Sequence, residues 1–339
     1  MATIKDVAKM AGVSPSAVSK FFISPDHMRE NTKKQISAAV EALNYHPNQL
    51  ARSLRSGCSD MIAITVPDPL SPYFGRYIHI MQDVCFKFGF TPLFIQVQTQ
   101  HDIANVIRIL RSGLPDGVIC SDDGWLVNQI LSADLKIPIV QISPNPDAKV
   151  PTAVFIELQP GMRLLCQHLE QQGIRRFSFL GIDQDFSSNH KFRAVREYCR
   201  EHDSILEHSA VFQEGYNENQ SSYEFGYQQC TRLLETMSPL PEVIITASDD
   251  IALGALKCLT HHGLRVPEDI LLSGYDDTEQ AFMSNPSITS VHIPLEDICN
   301  AAVDMMYKLR NNQSTVTASF PTTLTTRTST MVQKQASMP

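Results

Sequence analysis

Apolar residues recur at helical spacing in the first part of the chain and in continuous short runs after it. Ile4, Val7, Ala8 and Ala11 follow Thr3 and Asp6, which predicts an N-cap with a first-turn acid opening a short amphipathic helix. Gly12 predicts its end, since glycine adopts a left-handed backbone at little cost. Ser14-Pro15 then predicts a second helix running to about Phe22, a good cap followed by a proline in the first turn. Thr32-Lys33-Lys34-Gln35 reads as a capping box opening a third helix, with Ile36, Val40 and Leu43 inward. Ala8, Gly12 and Val18 suit two short helices crossing steeply, so a helix-turn-helix is expected.

Beyond Gly57 the runs Met61–Val66, Pro92–Val97, Gly117–Cys120 and Ile137–Ile142 read as buried parallel strands. Their spacing of roughly 25 residues leaves room for one crossover helix each. A second series, Phe177–Gly181, Val243–Ala247 and Ile270–Gly274, repeats the pattern. The expected fold is α/β, with two doubly wound parallel-sheet lobes behind an all-α head. Ligands of such sheets bind beyond the carboxyl ends of the strands, so the cleft between the lobes is the expected pocket.

With 339 residues, 43% of them hydrophobic, the chain is long enough for several packed units. No apolar run approaches the roughly 20 residues of a membrane span. MATIKDVAKM carries charges where a signal peptide needs an apolar core, so a cytoplasmic protein is expected. Eight cysteines stand singly without CxxC or CxxH spacing and read as reduced core thiols rather than zinc ligands. The net charge of -8 hides an asymmetry. Residues 1–57 hold 8 Lys/Arg against 4 Asp/Glu, a net of +4 that leaves -12 on the rest. A basic head on an acidic body fits a phosphate-binding module whose body avoids DNA.

The segment TIKDVAKMAGVSPSAVSKFF, with its DVA, AGVS and VS landmarks, resembles the head of the lactose/galactose repressor (LacI/GalR) family. The likeness continues through YHPNQLARSLRSG and on to about Thr330. It implies a helix-turn-helix domain over 1–46, a hinge over 47–58, a two-lobed effector-binding and dimerisation domain over 59–330, and a tail over 331–339. It also implies that Pro15, Ser16 and Lys20 face base edges while Ser14, Ser19 and Asn48 approach phosphates, with Thr3, Ala51, Arg52 and Arg55 also DNA-binding. Ala17 and Lys20 stand where the family commonly has Thr and Arg, which removes a hydroxyl and turns a planar fork into a point charge. The hinge is too short to be helical alone in water, and Leu54 matches the family's minor-groove wedge.

The resemblance further implies three crossings between lobes, near 157–161, 290–294 and 319–323, as in periplasmic sugar-binding proteins. Asp276 matches an acid that accepts sugar hydroxyls, and a carboxylate has acceptor sites for paired hydroxyls. Asp277 and Thr278 read as caps of the next turn. Ser248 and Asp249 stand where the family often has Asn-Asp, and Lys191 where it has an effector-gripping arginine. Asp68 and Tyr73, with Pro67 and Ser71, are the expected contacts after the first strand, and Ser121 and Asp122 after the third. Trp125 reads either as a sugar-stacking face or as a packed helix residue. The stretch SFLGIDQDFSSNHKFRAVREYC is also similar to trehalose-type repressors, which implies a phosphorylated disaccharide.

The expected protein is therefore a homodimeric DNA-binding transcription regulator, most simply a repressor, on a pseudo-palindromic operator of double-stranded DNA. No cofactor, metal or membrane partner is expected; the effector is a small carbohydrate or sugar phosphate, with a nucleoside or purine-type molecule as the alternative. A solute-binding protein shares the body but not the head. An enzyme is not expected, since GxGxxG, P-loop, HExxH and GxSxG motifs are absent. The tail QKQASMP has no leucine heptad, so a dimer is expected rather than a tetramer. Leu54→Ala should weaken specific operator binding far more than non-specific binding in a gel-shift titration; equal losses in both would remove the wedge role.

Overall fold

The computed structural model describes residues 2–23, 28–46, 58–122, 124–144, 150, 152–182, 186–206, 210–212 and 220–332. The chain divides into two compact units, Met1–Asp60 and Met61–Pro339.

In the first unit, α1 (Ile4–Ala11), α2 (Pro15–Ile23) and α3 (Glu30–Ala42) form a small bundle. Thr3 and Asp6 close a reciprocal capping box, with Thr3 N donating to Asp6 Oδ2 at 2.8 Å, and Gly12 takes the left-handed conformation at φ 65°. Val7, Ala8, Ala11, Val18, Ile36 and Ala39 are buried against one another, with Phe21 and Phe22 packed onto them. One expectation is corrected. The third helix begins at Glu30 behind an extended Arg29, not at a Thr32 capping box. Lys33 N already bonds back to Arg29 O at 3.0 Å, so Thr32 sits inside the first turn, where the packing of Ile36 and Ala39 holds it helical.

The second unit is built on two sheets. The first lobe carries β1 (Met61–Val66), α4 (Pro72–Lys87), β2 (Thr91–Gln96), α5 (Gln100–Arg111), β3 (Gly117–Ser121), α6 (Trp125–Ser132), β4 (Ile139–Ser143) and β5 (Ala153–Glu157). The second carries α7 (Leu158–Gln171), β6 (Arg176–Ile182), α8 (Phe186–Glu201), β7 (Ile205–Leu206), β8 (Ala210–Phe212), α9 (Ser222–Thr236), β9 (Val243–Thr246), α10 (Asp249–His261), β10 (Leu271–Asp276), α11 (Glu279–Met283) and β11 (Thr289–His292). The chain then returns to the first lobe with α12 (Leu295–Arg310) and β12 (Ala318–Pro321), and ends in the second with β13 (Thr323–Thr325).

The first sheet runs β12-β5-β4-β3-β1-β2 and the second β13-β11-β10-β9-β6-β7, with β8 also on β6. Strands buried on both faces, such as Met61–Val66, explain the continuous apolar runs. The edge strand β13 is antiparallel to β11, a departure from all-parallel sheets that follows from the last crossing: the chain enters the second lobe from the opposite direction. Two strands lie outside the expected runs: Ala153–Glu157, apolar in four of its five residues, and Thr289–His292, which is short and polar.

The three connections between the sheets meet at one point. A Cβ on Gly161 would collide with Val291 Cγ1 and stand 2.6 Å from Thr322 Oγ1. Only a hydrogen atom fits there, so the start of α7, the end of β11 and the step from β12 to β13 can touch. Thr322, buried between them, accepts from Gly161 N at 3.0 Å and donates to Glu157 O at 2.8 Å. Thr322→Val keeps the shape but leaves Gly161 N without an acceptor and Glu157 O with only the backbone bond from Thr322 N, and should cost about 1–2 kcal/mol of stability. Thermal unfolding would show this as a melting point lowered by a few degrees; an unchanged one would mean that water replaces both bonds.

Candidate functional site

In the head, Ser14, Pro15, Ser16 and Lys20 are exposed along the first turns of α2, and Ala17 and Ser19 are half-buried. Ser14 caps the helix by accepting from Ala17 N at 3.2 Å. Thr3 is exposed at the start of α1, where its side-chain and backbone hydrogen bonds hold the Asp6 carboxyl below the usual range. Asn48, Ala51, Arg52, Leu54 and Arg55 lie outside the described residues.

In the second unit, β10 ends in two consecutive residues with left-handed backbone, Asp276 at φ 107° and Asp277 at φ 55°. Such strain in non-glycine residues persists only where the surroundings over-determine it. Here the anchor is Asp277, which accepts from Arg327, from His292 Nδ1 at 2.9 Å and from Thr325 Oγ1 at 3.0 Å. Burial pushes the Asp277 carboxyl up, but these partners outweigh it and hold it below the usual range. Thr278 caps α11, accepting from Ala281 N at 3.3 Å. The turn is thereby fixed with Asp276 lining a cavity of about 280 Å³, together with Tyr73, Arg76, His79, Thr278, Glu279 and Leu295. Tyr73 comes from the first lobe and Asp276 from the second. Burial, and then the Asp276 carboxylate, push the Tyr73 phenol well above its ordinary value, so it stays a neutral hydroxyl.

A second contact joins the lobes nearby. Ser71 Oγ, at the start of α4, donates to Asp250 Oδ2 at 3.2 Å. Asp250 is 7% exposed, and its Oδ1 has no partner among the described residues. Burial raises its carboxyl and Asp68 adds to this, against hydrogen bonds from Tyr223 and Ser71. Asp68 itself accepts from Leu70 N at 3.0 Å, closing the turn after β1.

The remaining expected contacts are dispersed. Lys191 is 5% exposed, donates to Ala247 O at 2.8 Å and lies 3.7 Å from the Tyr275 ring centroid. Ser248 caps α10, accepting from Ile251 N at 3.3 Å. Ser121 donates to Tyr77 OH at 2.8 Å inside the first lobe, and Asp122 accepts from Leu126 N at 2.8 Å at the start of α6. Trp125, 38% exposed, begins that helix, whose Leu126, Val127 and Ile130 form the buried face.

Asp249 needs correction as a ligand contact. It is fully buried and accepts from Thr278 N at 2.7 Å, Thr278 Oγ1 at 2.9 Å and Ser290 Oγ at 2.6 Å, tying α10 to the end of β10. The next residue faces the other lobe instead, because one step along a helix rotates the side chain by about 100°. Asp250 therefore escaped a reading that took only the first acid of the pair. Arg76 and His79 were also missed, although helical spacing from Tyr73 places them on one face.

Asp249→Ala would leave the Thr278 and Ser290 donors without an acceptor and should cost about 2–4 kcal/mol, read as a lowered denaturation midpoint. Burial pushes the Asp249 carboxyl up to about 7 despite those donors. Its folded-state value thus exceeds the unfolded one, so its contribution to stability is present at low pH and lost as pH rises toward about 7. The Asp249 contribution to melting temperature should fall between about pH 4 and about pH 7, and Asp249→Asn should flatten that slope; an equal slope in the variant would assign it elsewhere.

A profile described as "Bacterial regulatory proteins, lacI family" matches residues 3–48, and one described as "Periplasmic binding protein-like domain" matches residues 166–330. The HTH-type transcriptional repressor PurR of Haemophilus influenzae (strain PittEE) is 32% identical over 298 residues, 86% of this chain and 86% of that protein. PurR of Pasteurella multocida (strain Pm70) is 27% identical over 318 residues, 93% of each. Among solved structures, the lac repressor dimer bound to operator and the anti-inducer ONPF matches with a TM-score of 0.84 at 23% identity, covering 98% of this chain and 99% of that one. The complex of the transcriptional regulator CelR with cellobiose matches at 0.70 and 23% identity, covering 97% of this chain and 100% of that one. These two likenesses show the fold. Among the described residues, no helix is long and apolar enough to cross a membrane. The chain belongs to the lacI family of bacterial regulatory proteins and is a DNA-binding transcriptional repressor with a periplasmic-binding-protein-like domain, not an enzyme.

Proposed function

We propose that the protein acts in the cytoplasm as a homodimer whose two heads bind a pseudo-palindromic operator, and that a small neutral carbohydrate in the inter-lobe cleft alters its affinity for DNA. Two heads related by a two-fold axis suit two half-sites. Ser14, Pro15, Ser16, Ala17, Ser19 and Lys20 supply the groove and phosphate contacts, with Thr3 and the phosphate-contacting Asn48 beside them and the hinge residues Ala51, Arg52, Leu54 and Arg55 at the minor groove. A ligand that bridges the lobes favours one lobe arrangement and acts only through that differential affinity.

The observation that carries the effector reading is the strained Asp276 carboxylate facing Tyr73 of the other lobe across one cavity. A carboxylate acceptor opposite a neutral phenol donor matches a hydroxyl-rich ligand. The Lys191 ammonium already bonds Ala247 O and covers Tyr275, and the cavity sets the carboxylates of Asp276 and Glu279 against the guanidinium of Arg76. That balance favours a neutral sugar over a sugar phosphate. Asp68 and Asp250 extend the acceptor surface at the cleft, whereas Asp249, Ser248 and Ser121 serve the fold. The Tyr73 ring favours a nucleoside or purine-type ligand as the second reading, by stacking.

Genomic fragments retained by the full-length protein at about 0.15 M salt should be enriched in a few short palindromes, because non-specific phosphate contacts are screened there. Calorimetric titration with free sugars, sugar phosphates and nucleosides should then find the tightest binding for a free sugar. Asp276→Asn, which tolerates the left-handed backbone, should weaken it at least roughly tenfold. Tighter binding of a nucleoside or a phosphate ester, or no loss in the variant, would overturn the effector reading while leaving the DNA result intact.

A further inference from the structure

The second lobe holds a pair of thiols that takes no part in the cleft. Helices α9 and α10 approach backbone to backbone: a Cβ on Gly226 would collide with the Ile251 carbonyl oxygen, and one on Gly254 with that of Tyr223. One turn further along each helix, on the same faces, stand Cys230 and Cys258. Both are buried, and their thiols hydrogen-bond to one another. Cys258 Sγ also lies 3.3 Å from Thr231 Oγ1 and 3.7 Å from Nδ1 of His262, an exposed residue just past the end of α10.

We propose that Cys230 and Cys258 are an oxidisable pair, closed by a peroxide into a disulfide that staples α9 to α10. Cys258 is the attacking sulfur. Its thiol is held below the ordinary range by the hydrogen bond from Cys230, with Thr231 and His262 adding to this against burial, while the same bond raises Cys230. The Cys258 thiolate attacks one peroxide oxygen; the O–O bond breaks, an alcohol or water leaves with a proton, and Cys258 becomes a sulfenic acid. The Cys230 sulfur then attacks the Cys258 sulfur, the S–O bond breaks, and water leaves carrying the Cys230 proton. Two thiols and one peroxide give one disulfide, one alcohol (or water) and one water. The glycine contact brings the two backbones together, and the cysteines one turn on lie on the same facing sides, the arrangement in which Cα atoms can reach the roughly 4.4–6.8 Å that a disulfide needs.

The other buried thiols provide an internal comparison. Cys166 and Cys199 face each other from α7 and α8, and Cys85 and Cys299 from α4 and α12, near enough for one to raise the other. Burial pushes Cys199 up to about 11, Cys85 and Cys299 to about 12, Cys166 higher still and Cys120 of β3 well above its ordinary value, so none of them is a ready nucleophile.

The test uses full-length Cys58→Ser protein, which lacks the exposed thiol. After stoichiometric hydrogen peroxide and alkylation, non-reducing peptide mapping should find the Cys230 and Cys258 peptides joined, two hydrogens lighter than their sum and separated again by dithiothreitol. The other four cysteines of the facing pairs should remain alkylated. In Cys230→Ser, dimedone should label Cys258, marking the stranded sulfenic acid. His262→Ala should slow thiol loss roughly tenfold while lowering the melting temperature by no more than the loss of its 2.9 Å bond to Cys258 O explains, because the exposed imidazole lies outside the core. Absence of the linked peptide, a different linkage, or dimedone labelling of Cys230 in Cys258→Ser at the same rate would overturn the proposal.

Discussion

The contact on which the second unit depends is the meeting of three chain crossings at Gly161, Val291 and Thr322. Two sheets far apart in sequence become one unit because the chain passes between them three times, and those passages can touch only where one residue has no side chain. Thr322 then satisfies the backbone of both neighbours, Gly161 N–H and Glu157 C=O, in a place without access to water. An apolar cluster runs on from this point, from Ile62 and Val66 in the first lobe to Phe177 and Tyr275 in the second.

Around the cleft, neighbouring carboxylates divide their tasks by geometry. Asp249 is turned inward and links α10 to Thr278 and Ser290; Asp250 is turned outward and meets Ser71 of the other lobe. In the same way Asp277 is anchored by Arg327 and His292, which holds the left-handed turn that leaves Asp276 at the cavity. In each pair one acid maintains the backbone that positions the other. The helices α9 and α10 that bring Tyr223 and Asp250 together at one end carry the thiol pair beyond their glycine contact. A single close approach thus organises two chemically separate places.

Much of this was determined by sequence alone, where short-range physics decides. The Thr3–Asp6 cap, the stop at Gly12 and the restart at Ser14-Pro15 depend on residues within one or two helical turns, and they formed as their patterns implied. The central strands were readable because a strand covered on both faces must be apolar throughout, as Met61–Val66 and Val243–Thr246 are. Asp276 was singled out at a strand end by the family resemblance, and it lines the cavity. What only the tertiary structure decided were relations across long stretches of chain: the antiparallel β13, the inward turn of Asp249 and outward turn of Asp250, the burial of Lys191 under Tyr275, and the facing of Cys230 with Cys258. Local pattern encodes which face of an element is buried, but which partner lies against that face follows from packing the whole chain, and there a rotation of one residue or the absence of one Cβ changes the outcome.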